Sequence, residues 1–276
     1  MFAGTKYSLM KKHKLLTLTT IVTLFATSHA QAQFGSLLQK AKDKAAQKAG
    51  ELMDRKTDAK TEPAPGNRRS RINTVFDFTS GDSVIFAENF SSVPVGATVK
   101  SLKTNGSATV ATVNDAPGKW LLMESSATYR LAKQLFYPKH FTVEFDILVA
   151  ADKVSDVSPV IVGFTNDNSA KAYIQQDGGH VTLEYYNNDD VVVANEHGKH
   201  LSTTFDLTPY DNRPMHVSMT VEGDRFVLYL DKTKIADTEF FSPSETKNLY
   251  ISAPLQYNNG AKVLISNLRI AGFKKM

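Results

Sequence analysis

Met215-His-Val-Ser-Met-Thr-Val-Glu222, then Gly223-Asp224, then Arg225-Phe-Val-Leu-Tyr-Leu230 is the stretch on which the reading of this 276-residue chain turns. Apolar and polar side chains alternate along the first arm, the period of a strand with one buried face. Glu222-Gly223-Asp224 is a turn-forming break, so the two arms read as a hairpin. The same pattern extends in both directions from Val75 onward. Strands are expected at Ser83–Ala87, Thr109–Val113, Trp120–Glu124, Phe141–Val149, Pro159–Thr165, Ala172–Gln176, His180–Asn187, Met215–Glu222, Arg225–Leu230, Lys234–Phe240, Asn248–Ala253 and Ala261–Phe273. Asp177-Gly-Gly179, Asn187-Asn-Asp-Asp190 and Asn258-Asn-Gly260 punctuate them. Ten or more short strands over some 200 residues, without a convincing helix, predict an all-β, two-sheet β-sandwich. No 20–50-residue repeat points to a propeller or solenoid.

Ahead of this domain (75–276) the chain changes character twice. Lys11-Lys-His-Lys14, the apolar run Leu15 to Thr27 and Ala30-Gln-Ala32 follow the order of a secretory signal peptide over residues 1–32, with a run too short to span a bilayer. The alternative is an uncleaved N-terminal anchor. Residues 33–56 lack proline and place Leu37, Leu38, Ala41, Ala45, Ala49 and Leu52 at three- and four-residue steps, which predicts a basic amphipathic helix. Such a helix can touch an anionic membrane surface or an envelope protein through residues 34–56, or simply be solvated. Residues 57–74, with Pro63, Pro65, Gly66 and Arg68-Arg-Ser-Arg71, read as a flexible linker. Export without a single cysteine suits a bacterial periplasm or outer-membrane surface better than a eukaryotic secretory route.

Charge excludes one class of partner. The chain carries a formal +4, but residues 33–74 hold ten basic against five acidic side chains, and residues 75–276 hold 18 basic against 23 acidic. The domain itself is acidic and would repel phosphate, so no nucleic-acid partner is expected. With no cysteine there is also no thiolate nucleophile, disulfide or thiolate metal site.

Several of these stretches share a pattern. Phe141-Thr-Val-Glu-Phe-Asp-Ile-Leu148, the hairpin Val217 to Asp231 followed by Lys234-Ile-Ala-Asp237, and Ile265-Ser-Asn-Leu-Arg-Ile-Ala271 resemble strands of concanavalin A-like (laminin G-like) jelly rolls. Phe76 to Phe90 is similar to the opening of such domains in exported Bacteroidota proteins, where a Lys-rich helix precedes the jelly roll and an OmpA-like domain, not included in this sequence, often follows. The resemblance implies fold rather than activity, because this fold hosts lectins, hydrolases, lyases and adhesion modules.

Glu144 and Asp146 share one strand face with Leu148, a pattern similar to the carboxylate strand of family-16 glycoside hydrolases. Retaining hydrolysis needs a second carboxyl about 5 Å away, and Leu148 and Val149 offer none. A 3-keto-glycoside hydrolase on the same sandwich is a further alternative, without mappable catalytic residues. No catalytic residue is therefore expected. His197 and His200 have a spacing that metals use, but without a patterned acid they read as solvated loop residues. Asn188, Asp189 and Asp190 could offer oxygens to calcium, although they lack an alternating ligand loop.

A carbohydrate ligand fits better, since sugar faces stack on aromatic rings while hydroxyls seek oriented polar partners. The candidate contacts are Tyr173, Gln175, Glu184 and Tyr186, on two strands expected to be adjacent, with Tyr257 and Asn258 in a loop and Trp120 as the lone tryptophan. The sequence thus favours an exported, non-catalytic module binding a glycan or another envelope component. The alternative is a structural protein acting through its N-terminal helix.

Overall fold

Alternation along the strands becomes two facing apolar surfaces. In the computed structural model, which describes residues 76–242 and 246–274, fifteen strands form two antiparallel sheets. They are β1 (Ser83–Glu88), β2 (Leu102–Thr104), β3 (Ala108–Val113), β4 (Ala116–Met123), β5 (Thr128–Leu131), β6 (His140–Ala150), β7 (Val160–Thr165), β8 (Gly179–Glu184), β9 (Asp190–Ala194), β10 (His200–Thr204), β11 (Met215–Glu222), β12 (Arg225–Leu230), β13 (Thr233–Glu239), β14 (Asn248–Ser252) and β15 (Lys262–Gly272). One sheet runs β13-β12-β11-β6-β15-β4-β3 with β1 also paired to β15; the other runs β10-β9-β8-β7-β14-β5-β2. The expected signal peptide, helix and linker over residues 1–74 lie outside the described residues.

Phe141, Val143, Phe145, Ile147 and Val149 of β6 join Met215, Val217, Met219 and Val221 of β11 on one side of the core. Val160, Val162 and Phe164 of β7, Val181 and Leu183 of β8, and Leu249 and Ile251 of β14 face them from the other sheet. Burying each such side chain contributes roughly 1.5–3 kcal/mol, and this shared interior holds the layers together. The hairpin β11–β12 has the bounds read from the sequence, with Gly223 at φ +64 supplying the left-handed turn position.

Two expected strands differ. Residues 172–176 are not a strand, because β7 already pairs with β8 and β14 and β8 with β9, leaving no free edge between them. His180–Asn187 ends early at Glu184: Tyr185 turns its ring into the core, and Tyr185–Asn187 form a 3-10 turn closed by Asn188 at φ +70. Strands β2, β5, β9 and β10 escaped the sequence reading. Arg130 interrupts the apolar pattern of β5, and the Asn-Asp cluster masks the start of β9.

Candidate functional site

The outer face of the seven-stranded sheet carries most of the uncommitted polar chemistry. Thr128 and Arg130 of β5, Asn248, Tyr250 and Ser252 of β14, and His180, Thr182 and Glu184 of β8 alternate with core residues and so point away from the interior. Among the described residues, seven buried side-chain polar atoms have no hydrogen-bond partner. Four of them, Arg130 Nε, His180 Nδ1, Thr182 Oγ1 and Glu184 Oε2, lie on this face. Buried polar atoms are normally paired, so this concentration marks the face as unusual.

Residues 166–178, joining β7 to β8, fold across it. The Asn168 amide donates to Leu131 O (3.3 Å), the Tyr173 hydroxyl to Ala253 O (3.0 Å), and Ile174 N to Thr128 Oγ1 (2.8 Å). The Tyr250 hydroxyl donates to Asp177 O at 3.0 Å, and Ile174 packs on Ile161 and Tyr250. Two glycines permit the close approach. At Gly163 a Cβ would stand 2.9 Å from the Tyr250 ring, and at Gly178 (φ +64) it would stand 2.1 Å from Phe164 O.

Between loop and sheet lies an open depression of about 430 Å³, whose lining includes Arg130, Asp167, Lys171, Tyr173, Asp177 and Glu196. Arg130 is 2% exposed. Its Nη2 donates to Thr165 Oγ1 (2.7 Å) and its Nη1 to Asn248 O (3.3 Å), while the guanidinium sits 5.4 Å from the Tyr250 ring centroid. Burial pulls the Arg130 pKa down, against the opposing charges of Asp167 and Asp177. Burial pushes the Tyr173 phenol up, and since its hydroxyl is committed to Ala253, the ring is the part left to offer. His180 is pushed down by burial, which favours a neutral imidazole. Glu184 is pushed up by burial, partly offset by the Tyr186 hydroxyl. The arrangement places a fixed aromatic ring beside carboxylates and cations, which suits a neutral polyhydroxylated ligand better than a proton-transfer step.

The sequence candidates do not converge on one spot. Tyr173 lines the depression and Gln175 is exposed on the same loop. Glu184 ends β8, and Tyr186, 50% exposed, follows in the 3-10 turn. Strand β7 separates them from β14 and from Ala253 just after it, where the Tyr173 hydroxyl is anchored, a gap of about 10 Å. Their expected adjacency to Tyr173 fails because 172–176 is a loop. Tyr257 spends its hydroxyl on Met123 O (3.0 Å), and Asn258 is exposed with its main-chain N donating to Asp156 O (2.8 Å). Trp120 drops out: it is 2% exposed on the other sheet, packed with Leu148 and Leu264, its Nε1 donating to Ala116 O at 3.3 Å. Around the calcium candidates, the main-chain oxygens of Asn188 and Asp189 accept from Leu207 and Phe205, and Asp190 accepts from the Asn187 amide. No group of three His, Asp or Glu suited to a metal ion occurs among the described residues. Sequence reasoning missed Arg130, Asp167, Asp177 and Tyr250; the one available signal was a lone arginine in the apolar run Thr128-Tyr-Arg-Leu131.

A second charged cluster occupies the outer face of the eight-stranded sheet. Glu144 and Asp146 do share a face with Leu148, which is buried against Trp120 rather than facing a cleft. The His216 Nδ1–H donates to Asp146 Oδ1 at 2.6 Å, and Asn267, at φ +54 in a bulge of β15, gives its amide to Asp146 Oδ2 at 2.6 Å. Arg269 reaches Glu144 Oε1 (3.0 Å), Ser80 Oγ (2.6 Å) and Gly81 O (2.6 Å), and the Ser80 hydroxyl also donates to Glu144. The segment leading into β1 is thereby strapped across this face, with Phe76 and Phe78 edge-on to Tyr229 and Asp77 held by Tyr229 and Lys234. Burial would raise both carboxyls, but hydrogen bonds and the charges around them outweigh it and hold both below their ordinary values. His216 is pushed up to about 9 by the hydrogen bond to Asp146 and the nearby Glu144. Carboxylates held ionised in this way are anchors, and neither is set to protonate a leaving oxygen.

No protein-family model and no curated protein matches the sequence. Solved structures do resemble the fold. The Emp47p carbohydrate recognition domain superposes with a TM-score of 0.53 at 11% identity, covering 71% of this chain and 100% of that one. Arcelin-5, a lectin-like defense protein from Phaseolus vulgaris, gives 0.50 at 11% identity over 67% of this chain and 96% of its own. The carbohydrate-binding module CBM66 from Bacillus subtilis, 17% identical over 65% of this chain and 100% of its own, gives 0.43. The first two likenesses establish the fold alone: a concanavalin A-like two-sheet β-sandwich of the jelly-roll type.

Proposed function

We propose that this chain is an exported, non-catalytic β-sandwich module that binds a glycan of the cell envelope in the depression beneath residues 166–178. The observation that carries this reading is the pinned loop, which sets the Tyr173 ring beside Asp167, Asp177, Lys171 and the buried Arg130. A sugar's apolar face would lie on the Tyr173 ring while its hydroxyls donate to Asp167 and Asp177. Because main-chain and side-chain hydrogen bonds already hold the loop, little ordering entropy would be lost on binding. Proteins of the same fold are described as a carbohydrate recognition domain and as lectin-like, which supports the reading. Export to the periplasm or outer-membrane surface rests on the signal-peptide pattern of residues 1–32. The acidic balance of residues 75–276 argues against a nucleic-acid partner.

A glycan array probed with the full chain tests this. Saturable binding is expected, weakened roughly tenfold by Tyr173→Ala, the loss of about 1.4 kcal/mol of ring stacking. Tyr186→Ala, two strands away, should leave it unchanged, and chelation of calcium should not abolish it. Binding to no glycan, or binding indifferent to Tyr173, overturns the proposal.

A further inference from the structure

Asn-Gly pairs occur twice in the sequence, at Asn105-Gly106 and Asn259-Gly260, and the fold treats them differently. In such a pair the main-chain N of the glycine can attack the side-chain amide before it, because no Cβ shields that nitrogen. Two local conditions decide whether it does. The nitrogen must be free of a hydrogen bond, and the amide carbon must be able to swing round to it.

At Asn105 neither condition holds. The Gly106 N–H donates to Thr104 Oγ1 at 3.1 Å. The Asn105 amide is held at both ends, its Oδ1 accepting from Thr128 N (2.7 Å) and its Nδ2 donating to Ser126 O (3.3 Å). A Cβ at Gly106 would stand 2.8 Å from Ala127 Cβ, so this turn is packed against its neighbour. The Asn259-Gly260 pair, in the β14–β15 connection, is built otherwise. Asn258 O accepts from Ala261 N (2.9 Å) and the two central residues have φ of +49 and +79, an exposed turn of the I′ kind. The Gly260 N–H has no hydrogen-bond partner, and nothing lies within 4 Å of where a Cβ would stand. Asn259 is held through its Nδ2 alone, which donates to Asp156 Oδ1 at 2.9 Å. That bond latches the connection. Asp156 is 4% exposed, its Oδ2 is without a partner, and Lys153 Nζ lies 3.8 Å from its Oδ1. Beside it Asn258 N donates to Asp156 O (2.8 Å) and Ser158 N to Gln256 O (3.2 Å).

We propose that Asn259 is a site of spontaneous deamidation, that Asn105 is protected from it, and that the change at 259 unlatches the β14–β15 connection from Asp156. Gly260 N gives its proton to hydroxide and bonds to Asn259 Cγ. The Cγ–Nδ2 bond breaks, the nitrogen leaves as ammonia, and a cyclic imide remains. Water then opens the ring at either carbonyl, leaving aspartate at 259 or its isomer linked through Cγ. One water enters and one ammonia leaves, with no oxidant or reductant. The product sets a carboxylate where an amide had donated to a buried carboxylate, so a hydrogen bond becomes a like-charge contact. This inference is independent of the glycan-binding reading.

To test the site, the full chain is aged in mildly alkaline buffer, once folded and once in urea, then digested and mapped by mass spectrometry. In the folded chain the Asn259 peptide should gain a single dalton roughly tenfold faster than the Asn105 peptide, because Asn105 must first open several hydrogen bonds together. In urea the two rates should converge. Equal rates in the folded chain, or Asn105 the faster, overturn the site. A rate difference as large in urea as in the folded chain overturns the protection of Asn105 by the fold. The latch is read by chymotrypsin cleavage after Leu255 and Tyr257, followed by mass. Asn259→Asp should be cut about fivefold faster than Asn259→Ser, which loses the same donor without adding a charge. Combining Asp156→Asn with Asn259→Asp should bring the rate back to that of Asn259→Ser or below, since an amide again faces a carboxylate. Equal cleavage of the two single variants, or no recovery in the double variant, overturns the latch.

Discussion

His216 shows how one residue's surroundings set its chemistry. Its imidazole donates to Asp146 at 2.6 Å and lies 3.8 Å from Glu144, which raises its pKa from an ordinary 6.5 to about 9. A group raised on folding stabilises the folded state fully below its unfolded value, and that contribution disappears as pH climbs through the folded value. Stability from this cluster should therefore decline between about pH 6.5 and 9. The lowered carboxyls of Glu144 and Asp146 work in the opposite direction, their contribution vanishing as pH falls below the usual carboxylate range. In denaturant titrations at a series of pH values, His216→Gln should flatten the decline on the alkaline side; an unchanged slope would contradict the assignment. At this scale the sequence was partly legible. The common face of Glu144 and Asp146 follows from period two, but their partners Ser80, His216, and Asn267 with Arg269 come from three separate segments.

Among the elements, the loop 166–178 matters most, and Gly178 is where it is most constrained. With φ at +64 and space for a Cβ only 2.1 Å from Phe164 O, any side chain there would collide with backbone. Gly178→Ala should cost about 2–3 kcal/mol in chemical denaturation, and should weaken the proposed glycan binding because Asp177 and Tyr173 shift with the loop. A variant of wild-type stability and affinity would show that the loop does not depend on this turn. The sequence marked Asp177-Gly-Gly179 as a turn but took the residues before it for a strand. Alternation is a local property, whereas strand formation needs a free edge, and here every nearby edge is paired.

For the molecule as a whole, β15 is the closing piece. It pairs with β6 along its length and on its other edge with β4 and then β1, so the C-terminal strand lies inside the sheet and holds the first strand. Val263, Ile265, Leu268 and Ile270 belong to the core. Ending the chain after Ala261 should therefore leave a protein with no cooperative unfolding transition and exposed sheet edges prone to aggregation; a soluble, cooperatively folding truncation would refute this. Pairing between ends of the domain also predicts slow folding, since loop-closure entropy is lost before these contacts form.

By itself the sequence determined the fold class, most strand positions and the β11–β12 hairpin, because side-chain alternation and turn residues are encoded within a few neighbouring positions. It also put Tyr173 forward as a candidate contact, and the structure places that ring in the lining of the depression beneath residues 166–178. Only the tertiary structure decided that Trp120 is buried, that Tyr186 lies apart from Tyr173, and that Arg130, Asp167 and Asp177 line one depression with Tyr173. Those outcomes depend on which strand edges are filled and which loops meet where strands end, and both are fixed by pairings between residues far apart in the chain.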